Sequence, residues 1–258
     1  MERLSYLLFA AALQAVLPAR AAEVATITFA EQPLRALRDT SFFTLPRGAR
    51  PQNGDILETR GSGAQIEGIG ATIAAVGPAT VIHLKLGGVP ELRLLQGWLK
   101  VQAGKSPGPA IVSGPLRLTL ASGSIILHSE SGKTELFVED GEPAVTETAT
   151  GKPARQIKVA REQYAIVTAA APLKALPRPP KDFIAGLPPG FADILVSVPF
   201  KGAEPPIRKE GPATFEEAAP WLSDAPALRQ LLHNRFYPPP PPKKDAPKAP
   251  VNSNIVFP

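Results

Sequence analysis

The chain has 258 residues, with 28 Lys and Arg against 23 Asp and Glu, 31 prolines, 21 glycines and no cysteine. Its charges are interspersed, so the dense basic patch with interleaved aromatics that a nucleic-acid binder needs is missing, and nucleic acid is not an expected partner. Without cysteine there is neither a disulfide framework nor an acylated lipoprotein cysteine, and stability has to come from the core alone.

Residues 1–21 read as a signal peptide. Arg3 precedes an apolar run from Leu4 to Leu17, and Pro18 followed by Ala19-Arg20-Ala21 supplies a small-x-small cleavage site before Ala22. The run is short of the roughly 20 apolar residues an uncleaved spanning anchor would need, and no later stretch is long and apolar enough to cross a membrane. The expected product is a periplasmic, or fully secreted, soluble protein of about 237 residues with a formal charge near +4. That length suits one sizeable domain with a smaller appendage.

Residues 22–170 are rich in β-branched residues, glycine and short alternations. Candidate strands cover 24–29, 40–45, 79–86, 116–120, 125–128, 135–138 and 163–167. Turns at Pro51-Gln52-Asn53-Gly54, Gly61-Ser62-Gly63, Gly87-Gly88, Ser122-Gly123, Ser131-Gly132 and Asp140-Gly141 punctuate them. No helical period intervenes, which excludes a βαβ plan.

Within this region the spacing Φ-x-Φ-x-x-Gly-x-Φ-x-Φ occurs three times. Leu92, Leu94, Gly97, Leu99 and Val101 form the first copy, Leu118, Leu120, Gly123, Ile125 and Leu127 the second, and Leu136, Val138, Gly141, Pro143 and Val145 the third. Short strands meeting at a tight corner require such a pattern, because side chains alternate faces and glycine reaches positive φ without steric cost. The expected fold is therefore mainly β, a small β-stack or β-solenoid-like domain rather than a catalytic scaffold.

Composition changes near Ala171. Ten prolines between Pro172 and Pro212 make this stretch a poor substrate for sheet, since each removes a ladder donor. A short amphipathic turn is expected at 182–187, with the rest extended along the β-domain surface. Helical signals return at Thr214-Phe215-Glu216-Glu217, which has capping-box spacing. Asp224 with Pro226 marks a second helix start, after which Leu228, Leu231, Leu232 and Phe236 fall on one face. Residues 171–237 thus read as a proline-rich crossover followed by two short helices, with Trp221 between them, forming a small cap. Residues 238–258, with five prolines in a row and then Lys243, Lys244 and Lys248, read as a disordered proline-rich tail. A stiff spacer or a ligand for an aromatic groove is the alternative.

Little in the chain points to catalysis or metal binding. His83, His128 and His233 are too far apart for a local metal motif, and the first two are expected as strand residues exposed at an edge or face. Gly61-Ser62-Gly63 lacks the context of a nucleophile elbow and reads as a hairpin turn. Gly68-Ile69-Gly70 lacks the third glycine of a dinucleotide fingerprint and reads as a bend. Glu139-Asp140 and Glu216-Glu217 read as solvated turn and helix-start residues. Trp98 is balanced between core residue and exposed carbohydrate-stacking ring. No catalytic, cofactor or metal residue is assigned, no binding residue is identified, and the chain is read as a non-enzyme.

The stretch Gly54-Asp55-Ile56-Leu57-Glu58-Thr59, followed by a glycine turn and alternating residues up to Leu86, resembles the opening of the FecR-type periplasmic domain. Leu95-Gln96-Gly97-Trp98-Leu99-Lys100-Val101, together with residues 124–128 and 135–145, resembles its continuing strand ladder. The resemblance covers roughly residues 24–167. The segment from Arg178-Pro179-Pro180-Lys181-Asp182-Phe183 to Ala219-Pro220-Trp221-Leu222 looks like the trailing region of some exported FecR-like proteins. The resemblance implies a non-enzymatic, β-rich cell-envelope domain that contacts proteins or cell-wall polymers. In signalling members that domain is joined through a membrane helix to a cytoplasmic segment controlling a sigma factor. This chain opens instead with a signal peptide, so direct sigma-factor control is not expected. The leading expectation is a periplasmic adaptor or scaffold for envelope signalling or assembly that binds a protein partner through a strand edge or sheet face. The alternative is a peptidoglycan- or polysaccharide-binding module with Trp98 as its platform, which an exposed Trp98 would favour and a buried one would oppose.

Overall fold

The computed structural model describes residues 24–104, 108–148 and 153–239. The expected signal peptide and nearly all of the expected tail lie outside them. The three glycine repeats explain how the described strands are arranged, because each carries the chain from one sheet to another.

The first sheet has the order β1 (Thr26–Ala30), β5 (Ala64–Glu67), β6 (Thr72–Val76), β8 (Glu91–Ala103), β11 (Gly123–Glu130), β12 (Lys133–Asp140), β15 (Tyr164–Thr168) and β16 (Lys174–Leu176). The second runs β17 (Arg208–Pro212), β3 (Ser41–Leu45), β2 (Leu34–Arg38), β4 (Ile56–Glu58), β7 (Val81–Lys85) and β8, then β9 (Ala110–Ser113), β10 (Leu116–Thr119), β13 (Ala144–Glu147) and β14 (Arg155–Lys158). Every pairing is antiparallel except that of β8 with β9. The protein is mainly β, and its architecture is the stacked one of the two expected.

Strand β8 belongs to both sheets. Its first half pairs with β7, from Glu91 to Gln96, and its second half pairs with β11, from Gly97 to Ala103. Leu92 and Leu94 are separated from Leu99 and Val101 by an odd number of residues, so a straight strand would point the two pairs to opposite faces. The corner at Gly97, with φ of 88°, absorbs the change of parity, and all four side chains enter the same core. A Cβ at Gly97 would collide with Thr80 Oγ1 and lie 2.8 Å from Thr80 Cα. Thr80 Oγ1 in turn accepts a hydrogen bond from the Trp98 amide at 2.9 Å. The second repeat crosses from β10 to β11 and the third from β12 to β13. Their glycines, Gly123 and Gly141, abut each other's corner so closely that a side chain on either would strike backbone.

Between the sheets, Ile27, Ile66, Leu99, Val101, Ile125 and Leu127 of the first meet Leu57, Ile82, Leu92, Leu94, Leu116 and Leu118 of the second. Each such side chain, fully buried, contributes about 1.5–3 kcal/mol relative to exposure. The seven strands expected from the sequence are all present. Of those not expected, β16 and β17 lie inside the proline-rich stretch, which differs from the expectation that it would not form sheet. Both are edge strands, where a proline costs no shared ladder bond, and Pro212 is the last residue of β17.

Residues beyond β16 cover the outer faces of the sandwich. Helix α1 (Lys181–Ala185) buries Phe183 on the first sheet. Helix α2 (Phe215–Ala218) has the expected capping box between Thr214 and Glu217. A 3-10 turn at Ala219–Leu222 and helix α3 (Pro226–Phe236) follow. Ala218, Leu222 and Leu232 pack on Leu37, Phe42, Ile56, Val81 and Leu95 of the second sheet, and Trp221 meets Phe42 edge-on at 6.4 Å. Two details differ from the sequence reading. Ala225 is the N-cap of α3, while the Asp224 carboxylate accepts from the Gly132 amide at 3.1 Å. Leu231 is 46% exposed, so the apolar stripe of α3 is narrower than expected. No helix among the described residues is long and apolar enough to cross a membrane.

Candidate functional site

The outer face of the first sheet carries a cross-strand row fixed by register. Trp98 of β8 stands opposite His128 of β11, which stands opposite Glu135 of β12. The Trp98 and His128 rings stack with centroids 4.1 Å apart and planes 16° from parallel. His128 Nδ1 lies 2.7 Å from Glu135 Oε2, Lys133 Nζ lies 3.2 Å from the same oxygen, and the Tyr164 hydroxyl donates to Oε1. Burial works against a charged Glu135, but hydrogen bonds from His128, Tyr164 and Lys133 outweigh it and hold its pKa at about 2. An ionised carboxylate only accepts, so the shared proton sits on His128 Nδ1. Burial and the Glu135 carboxylate raise the Tyr164 pKa above its usual range.

This network is roofed. Phe183 of α1 packs 5.1 Å from Trp98 and 5.2 Å from Tyr164, ring centroid to ring centroid. Gly186 follows closely enough that a Cβ there would touch the Trp98 indole. Trp98 is therefore half-buried, with one face on His128 and Phe183 tilted beside it. It is neither the exposed platform that would favour the polysaccharide alternative nor a fully buried core residue. β7 and β11 are central strands, so neither His83 nor His128 lies at an edge, and on their faces both are half-buried rather than exposed. His83 has its Nδ1 buried without a hydrogen-bond partner, and burial, aided by the charge of Arg93, lowers its pKa to about 4. His233 sits on α3 among Phe215 and Tyr237.

Beyond α1, residues 188–200 form a strap across the same face. Lys100, only 2% exposed, bridges Glu139 at 2.7 Å and donates to the carbonyls of Phe191 and Asp193, each at 2.8 Å. The Gln102 side-chain amide accepts from Leu195 N and donates to Leu195 O, both at 3.0 Å. Gln65 donates to Val196 O at 2.9 Å, and Glu67 accepts from Val198 N at 2.8 Å and from the Ser197 hydroxyl. Burial disfavours the Glu67 carboxylate, but these bonds prevail and lower its pKa. Phe191 and Leu195 point into the protein, whereas Ile194 and Val196 are 81% and 69% exposed. Glu139 was expected as a solvated turn residue. Its pairing with Lys100 and with the Ser124 hydroxyl corrects that, while Asp140 is 61% exposed.

Four strands end the two sheets, and they are protected unequally. Along β1, Ile27 exchanges backbone hydrogen bonds with Gly48 and Ala49, and Arg47 donates to Thr28 O. β16 has three residues and is followed by Pro177. β17 carries a bulge between Lys209 and Gly211 and ends in Pro212. β14 has neither bulge nor proline, pairs with β13 in unbroken register, and makes no backbone hydrogen bond on its other side among the described residues. Arg155, at one end of it, is tied to Glu147 at 2.7 Å. Beside it opens a concavity of about 520 Å³, lined by residues 142–146 of the β13 arm and 156–159 of the β14 arm.

Asp55, within the stretch that resembles the FecR-type opening, is fully buried and held by Arg38 through two bonds of 2.9 and 2.8 Å. It also accepts the Gln52 amide, so it braces the turn before β4. Among the described residues, no three His, Asp or Glu side chains gather as metal ligands. Lys100, Gln102, Glu135 and Tyr164 were not singled out from the sequence. For Lys100 and Gln102 the signal was the alternation Trp98, Lys100, Gln102 on the side of β8 opposite Leu99 and Val101.

No protein-family model matches the chain, and no curated protein does. Among solved structures it is similar to two crystal structures, at 2.50 and 1.65 Å resolution, of a candidate anti-sigma factor from Parabacteroides distasonis ATCC 8503. Each shows 12% identity and a TM-score of 0.41 over 50% of this chain. The match spans 62% and 63% of those chains, less than two thirds of their length.

Proposed function

We propose that the chain is a non-enzymatic, exported recognition module that takes up an extended segment of a cell-envelope protein by strand addition to β14, serving envelope signalling or assembly. The observation that carries this reading is the open edge of β14. Among the described residues β14 has no backbone partner on its outer side, no bulge and no proline, and such an edge is a template for another strand that proteins normally block. The three other edges are blocked in the ways just described. Export is supported by Arg3, the run from Leu4 to Leu17 and the Ala19-Arg20-Ala21 site. The non-enzymatic reading is supported by the engagement of His128, Glu135 and Tyr164 with one another and by Phe183 packed over Trp98 and Tyr164.

The test is proline substitution along β14. Neighbouring residues of a strand direct their N–H groups to opposite sides. Of Gln156→Pro and Ile157→Pro, the one whose N–H points outward is expected to keep the fold and abolish partner capture from envelope extracts. Capture that persists in both variants would sink the strand-addition mechanism.

A further inference from the structure

The strap is held in an unusual way for a segment lying on a sheet. It adds to no strand. Side chains rising from β5 and β8 read its main chain instead: Lys100 takes two carbonyls, Gln102 takes both groups of Leu195, Gln65 takes the Val196 carbonyl and Glu67 the Val198 amide. Six backbone groups are satisfied over residues 191–198. Only Ser197 Oγ and the inward side chains of Phe191 and Leu195 contribute anything specific to this sequence.

We propose that the outer face of the first sheet is a receptor for a peptide that leaves a turn and then runs along the sheet, and that residues 191–198, which turn as far as Asp193 and continue without a turn to Val198, are its resident occupant in cis. A competing partner would be a protein segment that leaves a turn and runs on along the sheet, with large apolar side chains four residues apart, matching Phe191 in the turn and Leu195 beyond it. The site is separate from the β14 edge and does not depend on strand addition there.

Two features make the occupant exchangeable. The sheet beneath is complete without it, since β8 pairs with β6 and β11, and β5 with β1 and β6. The central core between the sheets includes no strap residue. Release therefore breaks side-chain bonds to one segment and leaves every ladder intact, which is the character of a low-stability local unit. Ile194 and Val196 add nothing to holding the strap down, because they face outward. A main chain that follows the same course, a turn at the Lys100 end and straight chain past Gln102, Gln65 and Glu67, offers the same carbonyls and amides, so these hydrogen bonds select a backbone course rather than side chains.

The experiment uses the full chain carrying Phe191→Ser and Leu195→Ser, and a labelled synthetic peptide of residues 188–200 with the original sequence. The variant is expected to bind the peptide at least tenfold more tightly than the unsubstituted protein, whose own strap competes at high effective concentration. Adding Gln102→Ala should weaken that binding at least tenfold, and a peptide with both anchors changed to serine should not bind. Equal binding by variant and unsubstituted protein, or equal binding of the two peptides, would overturn the proposal. Should the variant fail to fold, hydrogen exchange on the unsubstituted protein decides the matter. The Leu195 and Val198 amides are expected to exchange at least a hundredfold faster than those of Leu99 and Leu127, and equal protection would refute an exchangeable strap.

Discussion

Lys100→Met is the substitution whose consequence follows most directly from the geometry. The ammonium is almost completely buried and has three partners: the Glu139 carboxylate and the carbonyls of Phe191 and Asp193. Methionine preserves the stem and removes all three contacts. Removing one member of a buried pair costs about 3–5 kcal/mol, because the other charge is left without compensation. Glu139 retains the Ser124 hydroxyl and is 21% exposed. Lifting the strap would also admit water to the two carbonyls. The expected loss is therefore nearer about 2–3 kcal/mol, or a urea midpoint lower by about 1 M at an m-value of roughly 2.5 kcal/mol/M. Replacing Glu139 by Leu in the same chain removes the stranded charge and should recover at least half of the loss. The assay is urea unfolding followed by tryptophan fluorescence, since Trp98 lies under the same cover. A midpoint within about 0.2 M of the parent, or a double variant less stable than Lys100→Met alone, would refute the assignment of Lys100 as the strap's anchor.

Four further outcomes are expected. Glu135 has its pKa depressed in the folded state to about 2, so its contribution is present above the unfolded value and is lost as pH falls from about 4.5 toward 2. After allowance for solvent screening this amounts to about 1–2 kcal/mol, and Glu135→Gln should flatten stability against pH over that window. His83 is held neutral, with a folded pKa of about 4. The unfolded chain therefore takes up its proton first, and stability falls as pH drops from about 6.5 to 4. His83→Leu should remove that slope, and at pH 7 it should be neutral or slightly stabilising because Nδ1 has no partner to lose. Gly97→Ala combines a left-handed backbone with a collision against Thr80 and should cost roughly 2–5 kcal/mol in thermal or urea unfolding. Thr214→Ala, which breaks the capping box, should cost only about 1 kcal/mol by the same measurement.

The contrast between Gly97 and Lys100 shows what could be seen in the sequence and what could not. The repeat containing Gly97 is local: apolar spacing, a glycine and a change of parity lie within ten residues, and these require a corner. That each corner passes between two sheets is a long-range fact, decided by which strands pair. β8 reads as two strands for this reason, although it is continuous. Short strands such as β4, β9 and β14 escaped notice because three or four residues carry too little alternation to register. The proline-rich stretch was misjudged where prolines fall at strand ends, as Pro212 does in β17. The strap was foreseen as extended chain on the surface, but not its anchors. Lys100 and Gln102 look like an ordinary solvated strand face until residues some 90 positions later cover them. Trp98 could not be resolved by alternation, because the side of β8 it shares with Lys100 is outward in the sheet yet inward beneath α1. The Glu139-Asp140 pair divides the same way, with one carboxylate recruited under the strap and the other left in solvent.

The claim that β14 is a docking edge is tested most directly by placing a photoreactive side chain at Gln156, which is exposed on that strand, and irradiating the protein in its native envelope. A second chain with the same group at Val89, 70% exposed and remote in sequence from β14, serves as the control. The account predicts one recurrent envelope protein attached through Gln156 and absent from the Val89 sample. Adducts equal at both positions, or cell-wall fragments alone at Gln156, would contradict it.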